Sequence, residues 1–381
     1  MDHAPVHASE RVRAHPPGVG AVRPNGLVFD RAPMLVYWET TIACGLACRH
    51  CRAVAMPSAG PGELSTAEGL RLIEALTGFD RPYPHLVFTG GDPLRRPDLL
   101  TLVRAATDRG IGASLAPSVT DEMTPARLSE LRDAGIQTIS LSLDGSNAER
   151  HDGVRGVPGT FAATLRAAGW ANDLGLPLQV NTLVAAETLD DLPAIHRLLT
   201  GLPILRWSLF FLISVGRGSV LKEIGSGESE RLGRWLYDIA KDSPFQVKTT
   251  EAMHYRRIAI GRMHRDGLDE AAIRTTSVGR GFGVRDGNGI LFVRHDGVVY
   301  PSGFLPMETG NVKTDDIVTL YRRHPLFVQL RDVGTYKGRC GRCPFNTRCG
   351  GSRARAFAWT GDPLESDPLC PYVPGPTRND A

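Results

Sequence analysis

From residue 34 onward, short runs of apolar, β-branched and aromatic residues alternate with longer stretches whose apolar positions recur at helical spacing. The runs at 34–39, 85–89, 111–115, 138–143, 178–184 and 206–212 fit strands. The stretches at 65–77, 97–109, 124–134, 160–174 and 189–199 fit helices with one apolar face. Two helix starts are marked by local chemistry: Ser65 with Glu68 three residues on forms a capping box, and Thr124 is followed by Pro125 at a first helical position. Strands that alternate with helices in this way pair in parallel through right-handed crossovers, so the fold class is α/β. A closed barrel would need eight such units; six are visible.

Beyond residue 212 the pattern changes. Val215-Gly216-Arg217-Gly218 ends the alternation, a helix follows at 228–241, and 245–251 is one more candidate strand. Glu251, His254, Tyr255, Arg256 and Arg257 then crowd together, either as a solvated helix face or as a polar cluster at a substrate mouth, where arginines pair with carboxylates. Residues 278–289 read as a flexible connection into a hairpin of 290–293 and 298–300 about a turn at Asp296-Gly297. The first 30 residues lack periodicity and read as a mobile lead-in. The expected divisions are therefore 1–33, 34–215, 216–289 and 290–381.

Composition adds exclusions. With 42% hydrophobic and 22% charged residues, usage is that of a globular enzyme. A net charge of +3 gives no nucleic-acid footprint. No apolar run is long enough to span a bilayer, and the first residues lack the apolar stretch of a secretory signal, so no membrane partner is expected. Seven cysteines fall in clusters with metal-ligand spacing, which fits a reducing, cytoplasmic setting better than a disulfide framework.

Those cysteines carry the chemistry. Cys44, Cys48 and Cys51 place three thiolates within eight residues, enough for three irons of a cubane cluster with the fourth iron open to a reactant. Zinc would ask for a fourth ligand, and His50, wedged between two of the cysteines, is the nearby candidate; uninvolved buried thiols are the remaining alternative. Cys340, Cys343, Cys349 and Cys370 form a second set of four, the full complement for a cubane and equally suited to zinc.

The triplet, placed just after an apolar strand, resembles that of the radical S-adenosylmethionine (SAM) enzymes. Thr89-Gly90-Gly91-Asp92-Pro93-Leu94, about 40 residues on, looks like the family's glycine-rich turn, which receives the SAM amino group. Ser140-Leu141-Ser142-Leu143-Asp144-Gly145, the loop His151-Asp152-Gly153-Val154-Arg155-Gly156, and Leu178-Gln179-Val180-Asn181 continue the likeness. The resemblance implies a partial six-unit barrel and gives Ser142 and Arg155 to the carboxylate and ribose of SAM, and Asn181 to its ribose or adenine. Otherwise Ser142 and Asn181 simply occupy strand faces. Both motif loops follow strands, so both fall on one rim.

The carboxyl-terminal set is similar to the SPASM and twitch extensions of these enzymes, which implies an auxiliary cluster and two [4Fe-4S] clusters in total. Where full SPASM proteins place another cluster cysteine, this chain has Ser302. The run from Cys349 to Ala356, with Asp367-Pro368-Leu369-Cys370, looks most like the heme b synthase subgroup, which oxidatively decarboxylates tetrapyrrole propionates. That likeness implies an oxidoreductase or decarboxylase with a one-electron reductant such as flavodoxin or ferredoxin. A precursor peptide and a small natural-product intermediate are the alternative substrates. Arg342, Arg348, Arg353 and Arg355 either steer an anionic substrate or are ordinary surface cations.

Overall fold

A computed structural model describes residues 28–375 of the protein. Most of the expected lead-in, residues 1–27, lies outside the described residues. Among the described residues, ten strands form one sheet: β1 Leu35–Glu39, β2 His85–Thr89, β3 Ala113–Leu115, β4 Ile136–Ser142, β5 Leu178–Val184, β6 Arg206–Phe211, β7 Gln246–Thr250, β8 Ile290–Val293, β9 Val298–Tyr300 and β10 Gly310–Asn311. Their spatial order is β10-β9-β8-β1-β2-β3-β4-β5-β6-β7. Strands β1 to β7 run parallel in chain order, and β8 joins parallel on the other side of β1. The sheet is thus wider than six strands, with the expected hairpin formed by β8 and β9.

Alternation along each strand decides what the sheet does. Val36, Trp38, Leu86, Phe88, Leu141, Trp207 and Leu209 are buried toward the surrounding helices, among them Thr66–Leu76, Leu99–Asp108, Thr160–Asp173 and Leu192–Thr200. The opposite face carries Ser140, Ser142, Gln179, Asn181, Arg206, Ser208 and Lys248. The apolar core therefore lies between sheet and helices, while the lumen is polar. Ser65 and Glu68 make both bonds of the capping box, and Thr124 caps the helix that opens with Pro125.

Three segments differ from expectation. Residues 151–156, read as loop, fall mostly within the helix Ala148–Arg155, capped by Asn147 and ended by Gly156 in the left-handed region; its weak apolar pattern hid it. Residues 278–289 are not a loose connection: Arg285 and Asp286 are fully buried, and backbone bonds tie Arg285 to Asn288. Glu251, His254 and Tyr255 are buried as well, so the polar crowd at 251–257 is not a solvated face. It packs between β7, the helix Ser226–Asp242 and the carboxyl-terminal segment.

Burial holds His85 and His254 at a pKa of about 4 in the folded chain, against ~6.5 when unfolded. Unfolding therefore takes up protons below pH ~6.5, and the stability present above that pH is lost as pH falls toward 4. The melting temperature should decline across that window, each histidine contributing at most ~1.4 kcal/mol per pH unit. His254→Gln should make the decline shallower; an unchanged slope would show that His254 is already charged in the fold.

Candidate active site

The loop that follows β1 is held from three directions, each by residues remote in sequence. On one side lies the glycine turn after β2: Gly91 N donates to Thr41 O at 2.7 Å and Asp92 N to Ala43 O at 2.7 Å. A Cβ on Gly90 would meet Thr41 O at 2.4 Å, and one on Gly91 would meet Ala43 O at 2.5 Å. The close approach that demands glycine is thus to the backbone leading into the cysteine loop. Below lies the helix Ala148–Arg155: Arg49 N donates to Val154 O at 3.0 Å, and Gly156, at φ 73°, leaves room for Ala47. On the third side Arg217 N donates to Cys51 O at 3.0 Å, while its guanidinium reaches Cys48 O at 3.1 Å and Ala55 O at 3.2 Å.

This loop opens on a cavity of about 250 Å³ at the carboxyl ends of the strands. Cys44, Cys48, Cys51, Gly90, Gly91, Ser142, Arg155 and Asn181 all line it. Asp92 and Pro93 do not. Asp92 is buried beneath the turn, accepting from Thr120 Oγ1 at 2.7 Å, Leu94 N at 3.2 Å and Ser118 N at 3.3 Å; it shapes the turn from behind. Arg155 is committed to Asp144, with Nε 3.0 Å from the carboxylate, and to Cys48, with Nη1 3.4 Å from the sulfur. Burial opposes its charge, yet Asp144 and the Cys48 thiol raise its pKa overall.

The sulfur environments suit an iron-sulfur cluster. Leu46 N lies 3.3 Å from Cys44 Sγ and Ala55 N 3.4 Å from Cys51 Sγ, so N–H donors already face the positions of thiolate charge. Burial raises the Cys44 thiol pKa, and coordination to a metal would favour the thiolate there. His50 also lines the cavity, but burial lowers its pKa to about 4 and its Nδ1 has no hydrogen-bond partner. Among the described residues no three His, Cys, Asp or Glu side chains gather as they would around a single metal ion.

The second set lies between the helix Gly338–Gly341, the helix Arg353–Thr360 and the end of the described chain. Asp367 N lies 3.4 Å from Cys340 Sγ, and Gly351 N 3.4 Å from Cys349 Sγ. Burial pushes the Cys349 thiol up to about 12. Arg353 and Arg355, which composition leaves as surface cations, are fully buried. Arg353 donates to Glu365 O at 2.6 Å and comes within 3.5 Å of Cys340 Sγ. Arg342 is exposed, and Arg348 pairs with Glu270. Ser302 is buried and donates to Asp286, whose other oxygen accepts from Arg353 N at 3.0 Å and Ala354 N at 3.1 Å, capping the helix behind the cysteines.

Sequence reasoning missed Arg217 and the Arg52–Glu39–His295 chain. Glu39 accepts from Arg52 at 2.8 Å and contacts His295 at 2.7 Å, and Arg52 lies 4.5 Å over the Phe292 ring, joining the cysteine loop to β8. Arg217 sits in the turn that ended the strand-helix pattern, and a lone arginine there carries no signal of its distant partners. Gly91→Ala should push Ala43 and with it Cys44, lowering both the iron held at the triplet and SAM affinity. Isothermal titration together with iron analysis checks this; native values for both would show that the turn can yield.

The Radical SAM superfamily model matches residues 38–199. The AdoMet-dependent heme synthase of Methanosarcina barkeri is 37% identical over 354 residues, 92% of this chain and 99% of that protein. A protein of the same name from Nitratidesulfovibrio vulgaris is 36% identical over 342 residues, 89% of this chain and 92% of its own length. Among solved structures, Streptococcus suis SuiB bound to S-adenosylmethionine superposes with a TM-score of 0.69 at 15% identity, over 90% of this chain and 78% of SuiB, a likeness of fold. Cysteine triplet, glycine turn, parallel sheet and relatives agree: the chain belongs to the radical SAM superfamily and is similar to the AdoMet-dependent heme synthases over nearly its whole length.

Proposed function

We propose that the protein converts propionate side chains of an iron porphyrin to vinyl groups, with Cys44, Cys48 and Cys51 holding a SAM-binding [4Fe-4S] cluster and Cys340, Cys343, Cys349 and Cys370 an auxiliary one. The observation that carries the chemistry is a single cavity lined together by the cysteine triplet, the glycine turn and the strand residues Ser142 and Asn181. The substrate class is supported by the full-length likeness to heme synthases.

When bound, SAM on the first cluster supplies a radical that removes a hydrogen atom from an unactivated carbon, and the second cluster supplies a one-electron acceptor. The residues of the chain do the rest. Carbonyls of the Gly90-Gly91 turn accept from the SAM ammonium group, and Ser142 and Asn181 offer hydrogen bonds along the cavity wall. Arg155 and Arg217 hold the cysteine loop still while Arg155 also balances thiolate charge. Substrate seated in the cavity keeps water and competing hydrogen donors from the reacting carbon. At the substrate, a C–H bond and the C–C bond to the carboxylate break, a C=C bond forms, and one hydrogen atom, one electron and carbon dioxide leave. A small flavodoxin or ferredoxin would deliver the starting electron.

Anaerobically reconstituted protein should hold about eight irons, two cubanes. Given SAM, dithionite and iron coproporphyrin III, it should yield a porphyrin with vinyl groups in place of propionates, read by mass spectrometry. Unaltered porphyrin under conditions where 5'-deoxyadenosine forms from another substrate would overturn the tetrapyrrole reading.

Replacing Cys44, Cys48 and Cys51 with Ala should leave about four irons and abolish 5'-deoxyadenosine. Retained SAM cleavage in that variant would remove the catalytic assignment.

A further inference from the structure

Strand register draws a line across the lumen. Ser142 of β4 faces Asn181 of β5, Asn181 faces Ser208 of β6, and Ser208 faces Lys248 of β7. The first two line the cofactor cavity. With neighbouring strands ~4.8 Å apart, Lys248 stands roughly 10 Å beyond Asn181 in the same layer. In the next layer Arg206 lies between Gln179 and Gln246 and donates to both amide oxygens at 3.1 Å. Arg256, on the helix Tyr255–Arg265 that follows β7, donates to the Arg348 carbonyl at 3.3 Å.

Among the described residues, none of these three cations is within ion-pair distance of a carboxylate. Lys248 is open to solvent, yet desolvation, followed by the charges of Arg206 and Arg256, brings its pKa down to about 7. Burial likewise lowers Arg206 and takes Arg256 to about 10. The Glu251 carboxyl near Arg256 offers little countercharge, since burial and Asp286 push it up to about 8. Half-buried cations without an anion, as Arg206 and Arg256 are, carry a desolvation cost that an anion entering the lumen relieves.

We infer that Lys248, Arg206 and Arg256 form a seat for substrate carboxylate on the β6–β7 side of the lumen, with Lys248 in the layer of Ser142 and Asn181 and Arg206 in the layer beside it. The inference rests on the porphyrin reading and deepens it: propionates that do not react anchor the ring, so that a reacting one is presented toward Asn181 and Ser142. An arginine fork and a lysine point charge are the groups that recognise carboxylate.

The test is anaerobic isothermal titration of cluster-loaded protein with iron coproporphyrin III and with its tetraamide, in which every carboxylate is neutral. The native protein should bind the tetracarboxylate at least about tenfold more tightly. Lys248→Met should lose about tenfold for the tetracarboxylate with little change for the tetraamide, and Lys248→Arg should recover most of the loss, with iron content verifying each variant. Equal binding of the two probes by the native protein, or native affinity in Lys248→Met, would overturn the seat and leave the porphyrin reading standing. Native protein that binds neither probe fails the porphyrin reading, and the seat with it. The native comparison holds whether or not a variant folds.

Discussion

A single buried guanidinium decides where the second thiol centre sits relative to the first cavity. Arg355 donates to Leu212 O at 2.9 Å, to Glu251 O at 2.6 Å and to Glu223 at 2.8 Å. Leu212 follows β6 and lines the cavity, Glu251 follows β7, and Arg355 lies on the helix behind Cys349. One side chain thereby spans the barrel rim and the carboxyl-terminal segment. Removing one partner of such a buried pair costs about 3–5 kcal/mol, because the remaining charge is stranded. The positive φ of Glu251, 58°, is held by the same knot, its carbonyl accepting from Arg355 and its carboxyl from Ser352.

A polar lumen follows from leaving the sheet open. In closed barrels, layers of branched apolar side chains fill the interior; here the inward positions of β4 to β7 include serine, glutamine, asparagine, arginine and lysine, with Leu183 and Phe210 as apolar members toward the strand ends. Stability comes instead from the outer layer, where Trp38, Phe88, Trp207 and their neighbours pack against helices. The interior is thereby free to hold ligands, at the expense of leaving cations without a countercharge.

Strands β2 and β5 and the cysteine positions were legible in sequence because each rests on local information: an apolar run of the right length, a turn residue, a ligand spacing. The helix Ala148–Arg155 was not, since its buried residues are a histidine and an arginine and its face points at the cysteine loop. Arg353 and Arg355 look like surface cations for the same reason: only the fold reveals the carbonyls that receive them. Glycine at 90 and 91 was recognised, but the neighbour that requires it is chain 41–43, a contact no spacing encodes.

The fastening of the cysteine loop also sets an order in time. Residues 44–51 leave the ribosome early, yet the groups that close the loop lie at 91, 154 and 217. Until residue 217 has emerged and docked, three reactive thiols hang on a strand with no wall around them. In the proposed reading, iron and sulfide delivered before then would meet an unformed seat, so a cluster could be built there only once most of the barrel has been synthesised and folded.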